Sequence, residues 1–212
     1  FRADHKNMLG GQNDSIYELI RTRAEHAPEA AAVLAPERDT LTYRGLLGQI
    51  DCVVKSLRIS GVGRNDRVAI LLPDGPEMAV ACLGVAAAAT CAPLNPNYSP
   101  NELDYYLSDL EPKAVIVETS LKDSTIGRVP KHRVPTFELT LSPGAAVGMF
   151  TLSGYGQPFA AAIDYPRGNE TALILHTSGT TSRPKMVPLT HANLLASARN
   201  IASTLQLNEE DR

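Results

Sequence analysis

The chain is 212 residues long, 43% apolar and 20% charged, and its 20 Lys plus Arg against 23 Asp plus Glu give a formal net charge of −3. That length is enough to bury a real core in one large domain or two small ones. Ordinary apolar content with low net charge excludes a disordered chain, and the lack of a basic excess excludes sequence-independent binding of nucleic acid.

The segment Phe1–Gln12 is polar and mixed in charge, and carries no secretory signal pattern. Ser15-Ile-Tyr-Glu18 is a capping box, and Ile16, Leu19 and Ile20 share a face, so a helix is predicted to about His26, stopped by Pro28. Two short strands are expected at Ala32–Leu34 and Thr40–Tyr43. A second helix begins near Arg44, with Leu46, Leu47, Ile50, Val53, Val54 and Leu57 at helical spacing and Gly61 as its C′ residue.

The apolar run Arg67–Leu72, closed by Pro73, reads as a strand buried on both faces, the pattern of a parallel sheet. Pro76 opens an Ala-rich helix to about Ala88, and Cys91–Leu94 forms the next strand. The stretch Met78–Leu94 carries Gly84 and Thr90 and ends near Pro93, so it reads as a buried helix and strand and not as a membrane span. Ser99-Pro-Asn-Glu102 is a second capping box, for a helix to about Leu110.

Further strands are expected at Ala114–Val117 and Val134–Leu139. Gly and Pro are frequent from Leu141 to Gly168, which reads as loop with at most fragments of strand. Strands at Ala172–Leu175 and Lys185–Leu189 follow. Thr190 then caps a helix with Leu194, Leu195, Ala198, Ile201 and Leu205 on one face. Strands alternating with helices imply an α/β fold, a largely parallel sheet flanked by helices.

Cys52, Cys82 and Cys91 lie among Ala, Val and Leu without metal-like spacing, and read as reduced, buried thiols in a reducing compartment, the cytoplasm. The five histidines have no metal-like spacing either and read as structural or solvated.

The informative segment is His176-Thr-Ser-Gly-Thr-Thr-Ser-Arg-Pro-Lys185, which follows a buried strand. Thr177, Ser178, Thr180, Thr181 and Ser182 place five hydroxyls within six residues around Gly179. Glycine permits a backbone turn in which successive N–H groups converge on an anion, and Arg183 and Lys185 add positive charge. The carboxyl end of a strand is also where α/β sheets place ligands. These features describe a phosphate cradle; composition alone equally describes a Ser/Thr-rich surface turn.

A Walker A loop does not fit. Gly179 is followed five residues later by Pro184, and Lys185 by Met186 where Ser or Thr is required. No G-x-G-x-x-G is present, and no G-x-S-x-G elbow surrounds Ser178 to make it a hydrolase nucleophile.

Leu175-His-Thr-Ser-Gly-Thr-Thr-Ser-Arg-Pro-Lys-Met-Val187 resembles the signature loop of the adenylate-forming (AMP-binding) enzymes: acyl-CoA synthetases, luciferases and peptide-synthetase adenylation domains. That loop reads roughly T-S-G-[ST]-T-G-x-P-K-G. Leu41-Thr-Tyr-Arg-Gly-Leu46 is similar to the family's L-[TS]-Y-x-E-L element, and Ala86–Pro96 to its A-x-x-V-P-L-[DN]-P element. Ser182 and Met186 depart from the family's glycines. T-T-S-R-P-K followed by Val-Pro-Leu is nevertheless similar to oxalate–CoA ligases.

The resemblance implies that residues 1–212 are a partial N-terminal AMP-binding domain, with the rest of that domain and a C-terminal domain outside them. Thr177, Ser178, Gly179, Thr180 and Thr181 would contact the β- and γ-phosphates of ATP, and Lys185 would help neutralise departing pyrophosphate in a catalytic role. The implied reaction activates a small carboxylic acid, oxalate by the subgroup likeness, to acyl-AMP with ATP and Mg2+, then forms a thioester with coenzyme A. The adenine-stacking, Mg2+-binding and ribose-binding elements and the catalytic lysine of the C-terminal domain do not occur before Arg212, so the 212 residues alone are expected to be inactive. The alternative reading is a non-catalytic nucleotide-binding module.

Overall fold

The structure, a computed structural model, describes residues 15–121, 134–154, 164–177, 184–208 and 211. Helix α1 spans Ile16–His26, with the Ser15 side chain accepting the Glu18 N–H as its cap. A small antiparallel pair follows, β1 (Ala31–Val33) with β2 (Leu41–Thr42). Thr42 also caps α2 (Tyr43–Ile59), its hydroxyl accepting the Gly45 N–H.

Helix α2 ends as its sequence predicts. Gly61 adopts φ +79°, its N–H donates to the Arg58 carbonyl, and Val62 N–H donates to the Leu57 carbonyl. This is the Schellman arrangement, which needs a left-handed residue at C′ and so favours glycine.

The remaining elements are β3 (Arg67–Leu71), α3 (Pro76–Ala88), β4 (Thr90–Pro93), α4 (Pro100–Leu110), β5 (Ala114–Glu118), β6 (Thr136–Leu141), β7 (Phe150–Gly154), β8 (Thr171–Thr177), β9 (Lys185–Thr190) and α5 (His191–Leu205). Among the described residues, seven strands form one sheet in the order β7-β6-β5-β3-β4-β8-β9. The five inner strands run parallel, while β7 and β9 lie antiparallel at the edges. The fold is therefore α/β, mostly parallel, as its alternating elements predict.

Alternation along the inner strands fills two cores. Val68, Ile70, Cys91, Ala114 and Ile116 face one layer, which α1, α2 and α3 cover through Ile20, Ile50, Val53, Val54, Leu57, Val80 and Val85. Ala69, Leu71, Ala92, Val115 and Val117 face the other, covered by Leu103, Leu107 and Leu110 of α4. Burial on both faces explains why these strands are continuous apolar runs instead of alternating ones.

Three details differ from the sequence expectation. Within the weakly patterned stretch after Leu141, β7 is a regular five-residue edge strand paired with β6 from Phe137↔Gly154 to Leu141↔Phe150. Its Gly and Ser content conceals it, because an edge strand with one exposed face needs few apolar residues. On α5, Leu195 is buried, but Ile201 and Leu205 are 53% and 64% exposed, so the apolar stripe is covered only near its start. Cys52 is exposed, since it falls beside the inward stripe of α2 rather than on it; Cys91 is buried and Cys82 partly so. Among the described residues, no helix is long and apolar enough to cross a membrane.

Candidate functional site

Strand β8 runs parallel to β4, tied to it by the Cys91↔Leu173 register and by Thr90 Oγ1, which donates to the Thr171 carbonyl at 2.9 Å. Its carboxyl end thus joins the carboxyl ends of the other parallel strands, where peptide ends and following loops converge in such sheets. β9 returns antiparallel beside it, with Leu175↔Val187, His176↔Met186 and Thr177↔Lys185 as partners. Pro188 lacks an N–H and is accommodated because β9 is an edge strand.

Two of the predicted site residues are brought together by this pairing. Lys185 N–H donates to Thr177 Oγ1 at 3.4 Å, and both side chains are exposed at the mouth of the β8–β9 hairpin. The Thr177 hydroxyl keeps its own proton to donate, and Lys185, its partner in register, is an exposed cation. That pair offers a donor and a positive charge, the chemistry an anionic ligand such as a phosphate chain requires. Ser178, Gly179, Thr180 and Thr181, the other predicted phosphate-binding residues, lie outside the described residues. No group of three His, Cys, Asp or Glu side chains that could hold a metal occurs among the described residues.

Directly before Thr177, the His176 side chain turns to the α4 face of the sheet, the face that Ile174 also meets. It is 5% exposed, and its Nε2 lies 3.4 Å from Asp109 Oδ2. Neither ring nitrogen has a hydrogen-bond partner among the described residues. The ring meets Tyr106 edge-on, with centroids 4.8 Å apart, and Tyr106 stacks on Tyr98 at 4.6 Å. Burial and the Tyr106 hydroxyl push the Tyr98 phenol up to about 12.

By sequence, His176 is structural or solvated and Tyr106 lies on an amphipathic helix. The signal that joins them is the i, i+3 spacing of Tyr106 and Asp109 on one face of α4, but which strand that face meets is decided by the crossover of α4. Two other histidines are structural: His26 Nδ1 lies 2.7 Å from the Thr22 carbonyl, and His191 is fully buried. His5 and His132 lie outside the described residues.

Residues 20–212 match the family described as AMP-binding enzyme. A probable CoA ligase of Humulus lupulus is 33% identical over 202 residues, covering 94% of this chain and 38% of that protein. The oxalate–CoA ligase of Saccharomyces cerevisiae is 36% identical over 212 residues, covering 85% of this chain and 39% of that protein. Among solved structures, ATP-bound MatB from Rhodopseudomonas palustris superposes with a TM-score of 0.70 at 26% identity, over 89% of this chain and 37% of that one. The chain thus spans less than two fifths of the length of these relatives.

Proposed function

Because this chain belongs to the AMP-binding enzyme family, we propose that its full-length protein is an AMP-forming acid–CoA ligase. Residues 1–212 form part of its AMP-binding domain. The observation that carries this reading is the pairing of Thr177 with Lys185 at the carboxyl end of a parallel strand, flanking the hydroxyl-rich stretch 178–184.

In this reading Thr177, Ser178, Gly179, Thr180 and Thr181 bind the β- and γ-phosphates of ATP, with Mg2+ accompanying the nucleotide. Lys185 offsets the charge that builds up on pyrophosphate as a carboxylate oxygen attacks the α-phosphorus. The P–O bond to pyrophosphate breaks, acyl-AMP forms, and the thiol of coenzyme A then displaces AMP. The chain's contribution to the first step is positioning and charge stabilisation, which dominate phosphoryl-group chemistry. Oxalate is the carboxylate we favour. What supports it is the 36% identity to a yeast oxalate–CoA ligase together with the T-T-S-R-P-K loop.

The test is carboxylate-dependent ATP–pyrophosphate exchange by the full-length protein with oxalate, malonate and acetate. Exchange strongest with oxalate, and reduced about 100-fold or more by Lys185→Met from loss of a stabilising cation, supports the reading. Absence of exchange with every carboxylate, alongside measurable ATP binding, favours the non-catalytic nucleotide-binding module. The 212 residues by themselves are expected to show no exchange.

A further inference from the structure

We propose that His176, oriented by Asp109, is a positioning residue for the nucleotide site; this rests on the reading of the β8–β9 hairpin as the ATP-phosphate site.

The pocket around the imidazole is one that an apolar side chain would fill at less cost. Ile174, Met186 and Leu107 belong to the same core layer, and Tyr106 presents its ring to the imidazole. A buried polar nitrogen without a hydrogen bond is unfavourable, and both nitrogens of His176 are in that state. A residue that works against packing in this way is expected where function requires it. Among the described residues, the charged group against the ring is the Asp109 carboxylate, 3.4 Å from Nε2 and itself 37% exposed at the rim.

The consequence lies one residue further on. His176 pairs with Met186 and Thr177 with Lys185, so the ring is the side-chain anchor immediately beneath the two described phosphate-site residues. Through Asp109 and Tyr106 that anchor ties the end of β8 to α4, whose Leu103, Leu107 and Leu110 share a core layer with residues of β3, β4 and β5. With the anchor, the hairpin mouth is held from the sheet face as well as along its edge. Small displacements of groups that position a reacting phosphate are costly. Asp109 acts by fixing the ring, and Tyr106 by limiting its rotation.

The experiment measures ATP affinity of the full-length protein by calorimetry in the presence of Mg2+, with thermal midpoints recorded without nucleotide. The variants are His176→Phe, which keeps the edge contact and loses the nitrogens, His176→Gln, which keeps a donor near the Nε2 position, and Asp109→Asn. We expect His176→Phe to weaken ATP binding about tenfold, through loss of the close contact between the imidazole and the Asp109 carboxylate. Asp109→Asn shifts it in the same direction, and His176→Gln restores affinity to within about threefold of the unsubstituted protein.

Asp109→Asn sits at the exposed rim and guards against a His176 variant that fails to fold. If the unsubstituted protein binds no ATP, the phosphate-site reading falls and this inference with it. If it binds ATP and His176→Phe and Asp109→Asn bind equally well, only the positioning role is overturned. That role is likewise overturned if His176→Phe and His176→Gln are equally impaired with lowered thermal midpoints, because such an outcome describes packing alone.

Discussion

His191 Nδ1 accepts the backbone N–H of Ile16 at 3.2 Å, joining the first turn of α1 to the start of α5 across 175 positions of sequence. The first N–H groups of a helix have no partner within it, and here a buried imidazole supplies one. The bond requires Nδ1 to carry a lone pair, so the ring must be neutral. Burial holds its pKa down at about 4, against a smaller opposing influence of Glu170.

Stability should therefore fall as the solution is acidified below the ordinary histidine range. The unfolded chain takes up this proton near pH 6.5 and the folded chain only near pH 4, so between those values the unfolded state carries more protons and stability rises with pH. Between pH 7 and pH 5 this one group accounts for a loss of about 2 kcal/mol. Urea unfolding at the two pH values measures it. In His191→Gln the difference should shrink by that amount; an unchanged pH profile in the variant would exclude His191 as the source.

Arg58 binds three carbonyls from three parts of the chain. Nη1 donates to Val62 at 2.8 Å, and Nη2 to Ala88 at 2.6 Å and to Asp164 at 2.7 Å. The guanidinium is buried, and desolvation lowers its pKa. It joins the ends of α2 and α3 to the segment ahead of β8. Arg58→Met is expected to destabilise the fold by about 3 kcal/mol, because the carbonyls lose charge-assisted donors in a buried place. Arg58→Lys, with one compact ammonium in place of a planar fork, should recover only part. Equal denaturation midpoints for Arg58→Met and the unsubstituted chain would contradict this account.

Gly84 lets α3 lie against α2. A β-carbon added there would stand 2.9 Å from Val53 Cβ and 3.0 Å from both of its γ-carbons. Gly84→Ala gains helix propensity but forces the helices apart, and overpacking of this kind costs about 1–3 kcal/mol. The check is a second substitution. Val53→Ala combined with Gly84→Ala should be more stable than the sum of the two single changes predicts, and strict additivity would show that the two positions do not share this space.

The three cysteines should separate by reactivity. Cys52 is exposed, Cys82 partly covered, and Cys91 buried with its thiol pKa pushed up by the neighbouring Cys82 thiol and by burial. A disulfide reagent added to the native protein is expected to label Cys52 first and Cys91 only on unfolding, as read by mass spectrometry of the labelled peptides. Labelling of Cys91 at the rate of Cys52 would mean that the α3–β4 packing opens readily.

The sequence by itself determined most of the elements and the location of the candidate site. Continuous apolar runs such as Val68–Leu71 and Ala114–Val117 declare strands buried on both faces, and Ser15, Ser99 and Thr190 declare helix starts, because burial periodicity and capping act over a few neighbouring residues. Thr177 and Lys185 were legible for the same reason, as part of a dense local motif.

Tertiary structure alone decided the relationships between distant segments. It put Thr177 opposite Lys185 in register, set Asp109 and Tyr106 of α4 against His176 of β8, and used His191 to cap α1. It also gave β7 its place at the sheet edge through pairing with β6. Each of these depends on which faces meet once the crossovers are made. A single side chain's chemistry does not carry that information, since the free energy that selects the pairing comes from the packing of the whole sheet and its two cores.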